Sequence, residues 1–172
     1  MKLGAKELRA SSPTRTDLVR IKRREIYIIC DNILDTYNIG SIFRLADAVS
    51  AKKIYLCGNT ETPPNSRITK ASVGTDKWVS WEHFATAEAA ILKIKDKISK
   101  IKVIAIEQGP DAIDYRKADF KEPIAFVIGH ETSGVTKEAL KACDQIVEIP
   151  MFGVNRSLNV MVSLAIVLYQ AI

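Results

Sequence analysis

Three short stretches of this sequence combine glycine with side chains that bind or orient a ligand. They read NIGSIFR (residues 38–44), IGHETSG (residues 128–134) and IPMFGVNRSLN (residues 149–159). Glycine lets the backbone approach a ligand closely, and the first N–H groups of a helix are free to donate hydrogen bonds. Each stretch alone is a common turn pattern. Three of them together predict a ligand-binding site.

Several other chemistries are disfavoured by what the sequence does not contain. No G-x-G-x-x-G follows the first apolar run, and neither a P-loop nor a G-x-S-x-G elbow occurs. The two histidines, His83 and His130, are far apart, and the three cysteines, Cys30, Cys57 and Cys143, are scattered. They match neither a zinc spacing nor a disulfide framework. We therefore expect no metal and read the cysteines as reduced thiols.

The elements that must position these stretches alternate between strands and helices. Apolar runs predict strands at residues 25–33, 53–59, 101–107, 124–131 and 145–150, with a short one at 79–81. Helical spacing predicts helices at residues 41–50, 86–99, 136–143 and 158–172. Residues 60–67 and 108–122 are predicted to be loops. Thr86, Thr136 and Ser157 are the candidate N-caps.

This alternation predicts an α/β fold with a mostly parallel sheet covered by helices on both faces. In such sheets, ligands bind beyond the carboxyl ends of the strands. Each of the three glycine-bearing stretches follows a predicted strand. We therefore expect all three to meet at one edge of the sheet.

Length and composition favour one ordinary globular domain of 172 residues. No stretch reaches the roughly 18 apolar residues that a membrane span needs, and the sequence does not begin with an apolar signal region. We therefore expect a cytoplasmic protein with no membrane contact.

Positive charge is concentrated in an N-terminal arm, residues 1–24. The arm carries a net charge of +6, whereas the other 148 residues sum to −1. Two interpretations remain open: an arm that binds a polyanion such as nucleic acid, or a solvated, frayed terminus. On either reading, residues 25–172 form the second segment of the chain, which carries all three motifs.

The three stretches resemble motifs 1, 2 and 3 of the SpoU (TrmH-like) family of SPOUT-class RNA methyltransferases. Motif order and spacing agree across residues 25–172. The resemblance implies an α/β fold with a C-terminal deep trefoil knot, a rare exception to the rule that chains are unknotted. It also implies a homodimer that transfers a methyl group from S-adenosylmethionine to a ribose 2′-hydroxyl of tRNA or rRNA.

The resemblance further assigns roles to individual residues. The cofactor-binding residues would be Gly129, Ile149, Met151, Leu158 and Glu107. The catalytic residue would be Arg44, supported by Asn38, Glu131, Ser157 and Asn159. The sequence departs from the family pattern in three places: Thr36-Tyr37 precede Asn38 where Asp-Pro is common, His130 replaces a common Asn, and Met161 replaces a common Ser.

Two mechanisms for Arg44 remain open at this point. A ribose hydroxyl must lose its proton as it attacks, yet arginine stays protonated in proteins. Either Arg44 is perturbed by the substrate phosphate and accepts the proton, or it binds the phosphate and stabilises negative charge while water accepts the proton.

Less specific interpretations of the same residues also remain. Arg44 could be an exposed arginine on the outer face of its helix. Asn38, Ser157 and Asn159 could cap helices or fill turns, and Glu131 could serve only as a charge at a helix N-terminus. His130 is interpreted as structural.

For the whole chain, the first alternative is a non-catalytic RNA-binding module with the same fold. The second is a nucleotide enzyme of the Rossmann type. Cofactor preference and methyl transfer to RNA separate these alternatives from the predicted enzyme.

Overall fold

The computed structural model describes residues 2–172, which form one sheet flanked by helices. The strands are Arg24–Asp31 (β1), Ala51–Cys57 (β2), Trp81–Phe84 (β3), Lys102–Ile106 (β4), Ile113–Asp114 (β5), Ile124–Gly129 (β6) and Gln145–Glu148 (β7). The α-helices are Ala5–Ala10 (α1), Arg15–Arg20 (α2), Thr36–Ala48 (α3), Ser66–Ser72 (α4), Ala87–Lys97 (α5), Lys137–Ala142 (α6) and Val160–Gln170 (α7).

The seven strands form a single sheet in the order β3-β2-β1-β6-β4-β7-β5, with every neighbouring pair parallel. The predicted fold class is confirmed, and the sheet is wholly rather than mostly parallel. The last two strands are inserted among earlier ones: β6 lies between β1 and β4, and β7 between β4 and β5. The loops that follow β4, β6 and β7 therefore meet at one edge.

Alternation along the strands divides the core into two layers. In β1, Ile26 and Ile28 pack with α3, α4 and α7, whereas Tyr27 and Ile29 pack with α5 and α6. Both faces of the sheet are covered, which explains why the central strands read as nearly continuous apolar runs. The helices after the strands thus fix the sheet edge where the loops converge.

Helix α3 begins five residues earlier than predicted. Asp35 is its N-cap, and its carboxylate accepts a hydrogen bond from the Tyr37 N–H at 2.8 Å. Asn38 and Gly40 consequently lie inside the helix rather than in the loop before it. An ideal Cβ on Gly40 would lie 2.5 Å from the Ala71 Cβ. Gly40 therefore serves the close packing of α3 against α4.

The prediction that Ser157 caps the last helix is wrong. Helix α7 begins at Val160, and its N-cap is Asn159, whose side chain accepts from the Met161 N–H at 2.9 Å. The preceding backbone is held by Gln108, whose Nε2 donates to the Arg156 carbonyl at 2.6 Å. Ser157 therefore lies outside the helix, and asparagine is at least as good a cap as serine.

The other two capping predictions differ in outcome. Thr86 caps α5, since its hydroxyl accepts from the Ala89 N–H at 3.1 Å. Thr136 occupies the N-cap position of α6 but makes no capping hydrogen bond. Its hydroxyl instead donates to the Asp31 carboxylate at 2.7 Å, because that buried carboxylate needs donors.

The sequence prediction missed short elements. The strand predicted at residues 79–81 is β3, which runs from Trp81 to Phe84. Helix α4 follows the proline-rich loop, and β5 with a 3₁₀ turn at Tyr115–Lys117 lies within the predicted 108–122 loop. Elements this short carry too few residues for a periodic pattern.

The N-terminal arm contains α1 and α2; residue 1 lies outside the described residues. Arg23 donates to the Trp78 carbonyl at 2.9 Å and pairs with Asp47 at 3.0 Å. Arg24 belongs to β1 and pairs with Glu122 at 2.6 Å. The end of the arm is thus anchored to the body of the protein.

No helix within residues 2–172 combines the length and apolar character that crossing a bilayer requires.

Candidate active site

A cleft of about 320 Å³ opens at the sheet edge where the loops after β4, β6 and β7 meet. This volume lies at the lower end of the range for small-molecule sites, about 300–1,000 Å³. The five residues expected to bind the cofactor all line it: Glu107, Gly129, Ile149, Met151 and Leu158. Three residues with expected catalytic roles line it as well: Glu131, Ser157 and Asn159.

A chain of hydrogen bonds joins the three predicted motifs beside this cleft. Asn159 Nδ2 donates to Asn38 Oδ1 at 3.0 Å. Asn38 Nδ2 in turn donates to Glu131 Oε1 at 3.0 Å. Asn38 is only 7% exposed, and both its amide nitrogen and its amide oxygen form hydrogen bonds away from solvent. Residues up to 121 positions apart in sequence are thereby fixed relative to one another.

Glu131 is held as a carboxylate. Partial burial opposes its ionisation, but hydrogen bonds from Asn38 and from the Asp35 and Leu34 backbone outweigh that effect and lower its pKa. The two backbone N–H groups lie 3.2 and 3.4 Å from the carboxylate oxygens. Glu131 therefore ties the loop after β6 to the start of α3.

Gly129 is required by a close backbone contact. An ideal Cβ on this residue would lie 2.2 Å from both the Gly134 carbonyl carbon and the Val135 nitrogen. The loop from 129 to 134 can fold back on itself only because Gly129 has no side chain. This fold-back forms one wall of the cleft.

Glu107, the residue after β4, stabilises the same wall of the cleft. Its Oε2 accepts from the Val135 N–H at 2.9 Å, and its Oε1 accepts from the Gln108 N–H at 2.9 Å. Gly134 has a φ of +71°, and a Cβ there would meet Glu107 Oε2 at 2.2 Å. Glu107 thus has a clear structural role in addition to its expected contact with the cofactor.

Arg44 lies apart from the residues that line the cleft. It is exposed on α3, six residues after Asn38 and so about 9 Å further along the helix axis. Within residues 2–172 its side chain forms no hydrogen bond or ion pair. Its guanidinium is therefore solvated and available to a partner that approaches from outside.

Sequence reasoning missed three residues that shape the site. Gln108 holds the motif 3 loop through the Arg156 carbonyl. Asp31, 1% exposed at the end of β1, accepts from the Thr136 N–H at 2.8 Å and so fixes the start of α6. A charged residue closing an apolar strand was the available signal for Asp31. Nothing in the sequence marked Gln108 or the lining residue Ser163.

The charged groups that line the cleft are carboxylates: Glu107, Glu131 and Glu148. Lys and Arg are absent from its lining within the described part of the chain. The same residues, 2–172, contain no cluster of three His, Cys, Asp or Glu side chains that could hold a metal ion. The cleft thus favours a ligand that carries positive charge and has an apolar face.

Comparison with known proteins identifies the family. The sequence profile of the SpoU rRNA methylase family matches residues 25–169. The chain belongs to the SpoU family. The resemblance predicted from the three motifs is confirmed, and membership implies the knotted α/β fold of SpoU proteins.

Individual SpoU relatives cover most of the chain. The tRNA (guanosine(18)-2′-O)-methyltransferase of Escherichia coli K12 is 29% identical over 167 residues, which are 93% of this chain and 70% of that protein. The TrmH/SpoU tRNA modifying enzyme of Aquifex aeolicus superposes with a TM-score of 0.79 at 26% identity, covering 97% of this chain and 80% of that one.

A third relative was solved with a cofactor. The SpoU methyltransferase AviRb of Streptomyces viridochromogenes, in complex with AdoMet, superposes with a TM-score of 0.79 at 26% identity. The match covers 90% of this chain and 63% of AviRb.

Proposed function

We propose that this SpoU protein transfers a methyl group from S-adenosylmethionine to a ribose 2′-hydroxyl of tRNA or rRNA. The observation that carries the proposal is the hydrogen-bond chain from Asn159 through Asn38 to Glu131. It joins the three family motifs beside the cleft that the expected cofactor residues line. The same bonds also stabilise the fold, so the support lies in their position beside the cleft and in the motifs that they join.

The cleft fits S-adenosylmethionine by its chemistry. Ile149, Met151 and Leu158 offer apolar surface for the adenine ring. The lining carboxylates suit the positive sulfonium and ammonium groups of the cofactor. When bound, S-adenosylmethionine supplies an electrophilic methyl group. Glu107 and Gly129 hold the wall against which the cofactor rests.

Arg44 acts by charge in this proposal. Its guanidinium is exposed, and arginine stays protonated in proteins. Arg44 then binds a phosphate of the RNA and stabilises negative charge that develops on the ribose oxygen, while water accepts the proton. The alternative, in which the substrate phosphate perturbs Arg44 so that it accepts the proton, is disfavoured because a neighbouring negative charge stabilises the protonated guanidinium.

The supporting residues position the reacting groups. Asn38 and Glu131 fix α3, and therefore Arg44, relative to the loop after β6. Asn159 fixes the start of α7 and the motif 3 loop. Ser157 is exposed in the cleft wall, so its hydroxyl can bond the substrate ribose. These roles agree with those implied by the family motifs.

The partners in this proposal are RNA and a second copy of the chain. Six basic side chains of the N-terminal arm are exposed and unpaired within residues 2–172: Lys2, Lys6, Arg9, Arg15, Arg20 and Lys22. They suit the phosphates of RNA. Helix α7 is largely apolar, yet of its residues Val162 and Tyr169 remain 38% and 55% exposed. A homodimer would cover that surface.

The cysteines suit a reducing compartment such as the cytoplasm. All three are free thiols, and burial raises the pKa of Cys57 and of Cys143 to about 12. Such thiols are poor nucleophiles. They are part of the packing rather than of the chemistry.

Methyl transfer from labelled S-adenosylmethionine to total cellular RNA tests the proposal. The wild type should label tRNA or rRNA, and Arg44→Ala should lose about 100-fold or more in rate while binding the cofactor unchanged. Arg44→Lys, which keeps the charge, should recover part of the rate. Arg116→Ala, an exposed arginine on the 3₁₀ turn after β5, is the matched control.

Two outcomes would decide against the proposal. Cofactor binding without transfer to any tRNA or rRNA would favour the non-catalytic RNA-binding module. Preference for NAD over S-adenosylmethionine in a titration would favour a nucleotide enzyme of another kind. Mapping 2′-O-methyl sites in cells with and without the protein then identifies the nucleotide.

A further inference from the structure

The motif 3 loop, residues 149–158, forms one wall of the cleft but has little support of its own. It contains no helix or strand, and residues 152–158 are all exposed. A Cβ on Gly153 would meet no atom within 4 Å. The middle of the loop therefore extends into solvent. Four residues of the loop nevertheless line the cleft: Ile149, Met151, Ser157 and Leu158.

In the described part of the chain, a single hydrogen bond joins residues 151–158 to the rest of the protein. Gln108 Nε2 donates to the Arg156 carbonyl at 2.6 Å. The other hydrogen bond of this segment runs from the Ser157 N–H to Asn155 Oδ1 at 3.3 Å, and so stays inside the loop. The path of the loop therefore depends on the Gln108 side chain.

Gln108 is itself held by the opposite, rigid side of the cleft. Its backbone N–H donates to Glu107 Oε1 at 2.9 Å. Glu107 Oε2 accepts from the Val135 N–H at 2.9 Å, and the Glu107 N–H donates to the Val147 carbonyl of β7 at 3.0 Å. The Gln108 side chain therefore connects a fixed edge of the sheet to a loop that is otherwise free.

The bond to the Arg156 carbonyl sets the positions of the two residues that follow. Ser157 and Leu158 come directly after this carbonyl, and both line the cleft. Without the bond, the segment can follow paths that carry Leu158 away from the cleft. A ligand that contacts this wall then binds only the fraction of molecules in which the loop is closed, and its apparent affinity falls by that fraction.

We infer that Gln108 is a positioning residue whose side-chain amide holds the motif 3 loop against the cofactor cleft. This inference rests on the proposed function, because S-adenosylmethionine is the ligand that the cleft would bind. The bound cofactor contacts the loop and keeps it closed in turn. Loss of the Gln108 bond therefore weakens cofactor binding, whereas the rate of methyl transfer with saturating cofactor stays nearly unchanged.

Calorimetric titration of Gln108→Met with S-adenosylmethionine tests the inference. Methionine has an unbranched side chain of similar length but no N–H donor, so the variant keeps the size and loses the bond. Its affinity should fall by about threefold to fivefold, the change expected when one hydrogen bond no longer favours the closed loop. Gln108→His, whose neutral ring at pH 8 carries an N–H donor, should recover part of the affinity.

Gln170→Met is the matched control. Gln170 is exposed on α7, lies outside the cleft lining, and has a side chain without a hydrogen bond within residues 2–172. This variant should bind the cofactor as the wild type does. Methyl-transfer kinetics supply the second readout: in Gln108→Met the KM for S-adenosylmethionine should rise, while kcat stays within about twofold of the wild type.

Nitrogen-15 relaxation NMR measures the loop directly, without cofactor or RNA. In the wild type, the order parameters of the Arg156 and Ser157 amides should approach the value of rigid backbone, about 0.85. In Gln108→Met they should fall below about 0.6, the range of flexible backbone. Saturating cofactor should raise them again in the variant.

Three results would overturn the inference. One is cofactor affinity in Gln108→Met equal to that of the wild type, and another is equal order parameters in the two proteins. The third is a loss of kcat as large as that of Arg44→Ala, because Gln108 would then act in the chemistry itself. A wild type that does not bind S-adenosylmethionine would contradict the proposed function instead, and the order parameters would still decide whether Gln108 holds the loop.

Discussion

Asn38 connects all three motifs at the scale of single residues. Its amide donates to Glu131 and accepts from Asn159, and it lies almost buried on α3. Neither neighbour could be replaced by an apolar residue without leaving one half of that amide unpaired. The chemistry of the site therefore depends on a side chain that does not itself line the cleft.

Glu131→Gln should lower the free energy of unfolding at neutral pH by up to about 1 kcal/mol, a modest amount because the carboxylate is largely exposed. The folded-state pKa of Glu131 is lowered. Its contribution is therefore present above the ordinary pKa of 4.5 and is lost as the pH falls through the lower folded-state pKa.

Urea unfolding of both proteins at pH 7 and at progressively acidic pH provides the measurement. The gap between wild type and variant should close as the pH falls below about 4.5. Glu61→Gln, at an exposed position with no hydrogen bond within residues 2–172, should leave stability unchanged. A gap that is the same at pH 7 and pH 3 would contradict the assigned role.

Gly129→Ala should destabilise the fold by about 1–3 kcal/mol and abolish cofactor binding, since the added methyl group overlaps backbone that cannot move aside. Thermal unfolding and calorimetry measure the two effects. Gly153→Ala is the control within the motif 3 loop, because a Cβ there meets no atom within 4 Å. Equal behaviour of the two variants would show that the fold-back at Gly129 is unimportant.

At the scale of elements, helix α3 shows which features the sequence predicts and which depend on packing in the folded protein. The helical spacing within residues 41–50 predicts this helix but does not indicate where the helix begins. The start depends on Asp35, a cap that looks like one more loop residue when the fold is unknown. The sequence alone predicts that Gly40 lets a ligand approach the backbone, because the packing of α3 against α4 leaves no pattern in a single sequence.

The candidate site likewise has some residues that the sequence predicts and others that only the fold reveals. The motif positions predict four cofactor-binding residues that the structure brings to one cleft: Gly129, Ile149, Met151 and Leu158. The hydrogen bond that caps α7 is harder to predict, because Ser157 and Asn159 are both good N-cap residues. Only the path of the backbone selects Asn159. Gln108 and Asp31 act through partners 48 and 105 residues away, which no local pattern encodes.

Gly40→Ala should destabilise the protein by about 1–3 kcal/mol through forced separation of α3 and α4. The added Cβ would lie 2.5 Å from the Ala71 Cβ and 2.7 Å from the Ile68 carbonyl oxygen. Urea unfolding measures the loss, and Ser41→Ala on the same helix is the control. The double variant Gly40→Ala with Ala71→Gly should recover stability only in part, because the carbonyl contact remains.

At the scale of the whole molecule, the charge of the arm is separate from the cleft. Deleting residues 2–22 removes the six exposed, unpaired cations and keeps the Arg23 and Arg24 ion pairs. RNA affinity should fall, and the slope of log affinity against log salt should decrease by about 0.7–0.9 for each lost phosphate contact. Cofactor affinity should stay the same. Unchanged RNA affinity would show that the arm does not bind RNA and would favour the interpretation of a solvated terminus.

Val162→Asp should convert the proposed dimer to monomers, since it places a charge on the uncovered apolar surface of α7. Sedimentation velocity measures the change. Leu92→Asp is the matched control: Leu92 is 57% exposed on α5, on the opposite face of the sheet. A wild type that sediments as a monomer at micromolar concentration would rule out the dimer.

The inserted position of β6 also affects how the protein is made. Strands β1 and β4 become neighbours of the same central strand only when residues 124–129 are available. During synthesis from the N-terminus, the first two thirds of the chain therefore emerge before the strand that joins β1 to β4, and the edges of β1 and β4 that contact β6 are unpaired. A nascent chain stalled before residue 124 cannot form the native sheet. The central strand of the sheet is thus synthesised after five of the six other strands, and β1 and β4 can be joined through it only once residues 124–129 have emerged.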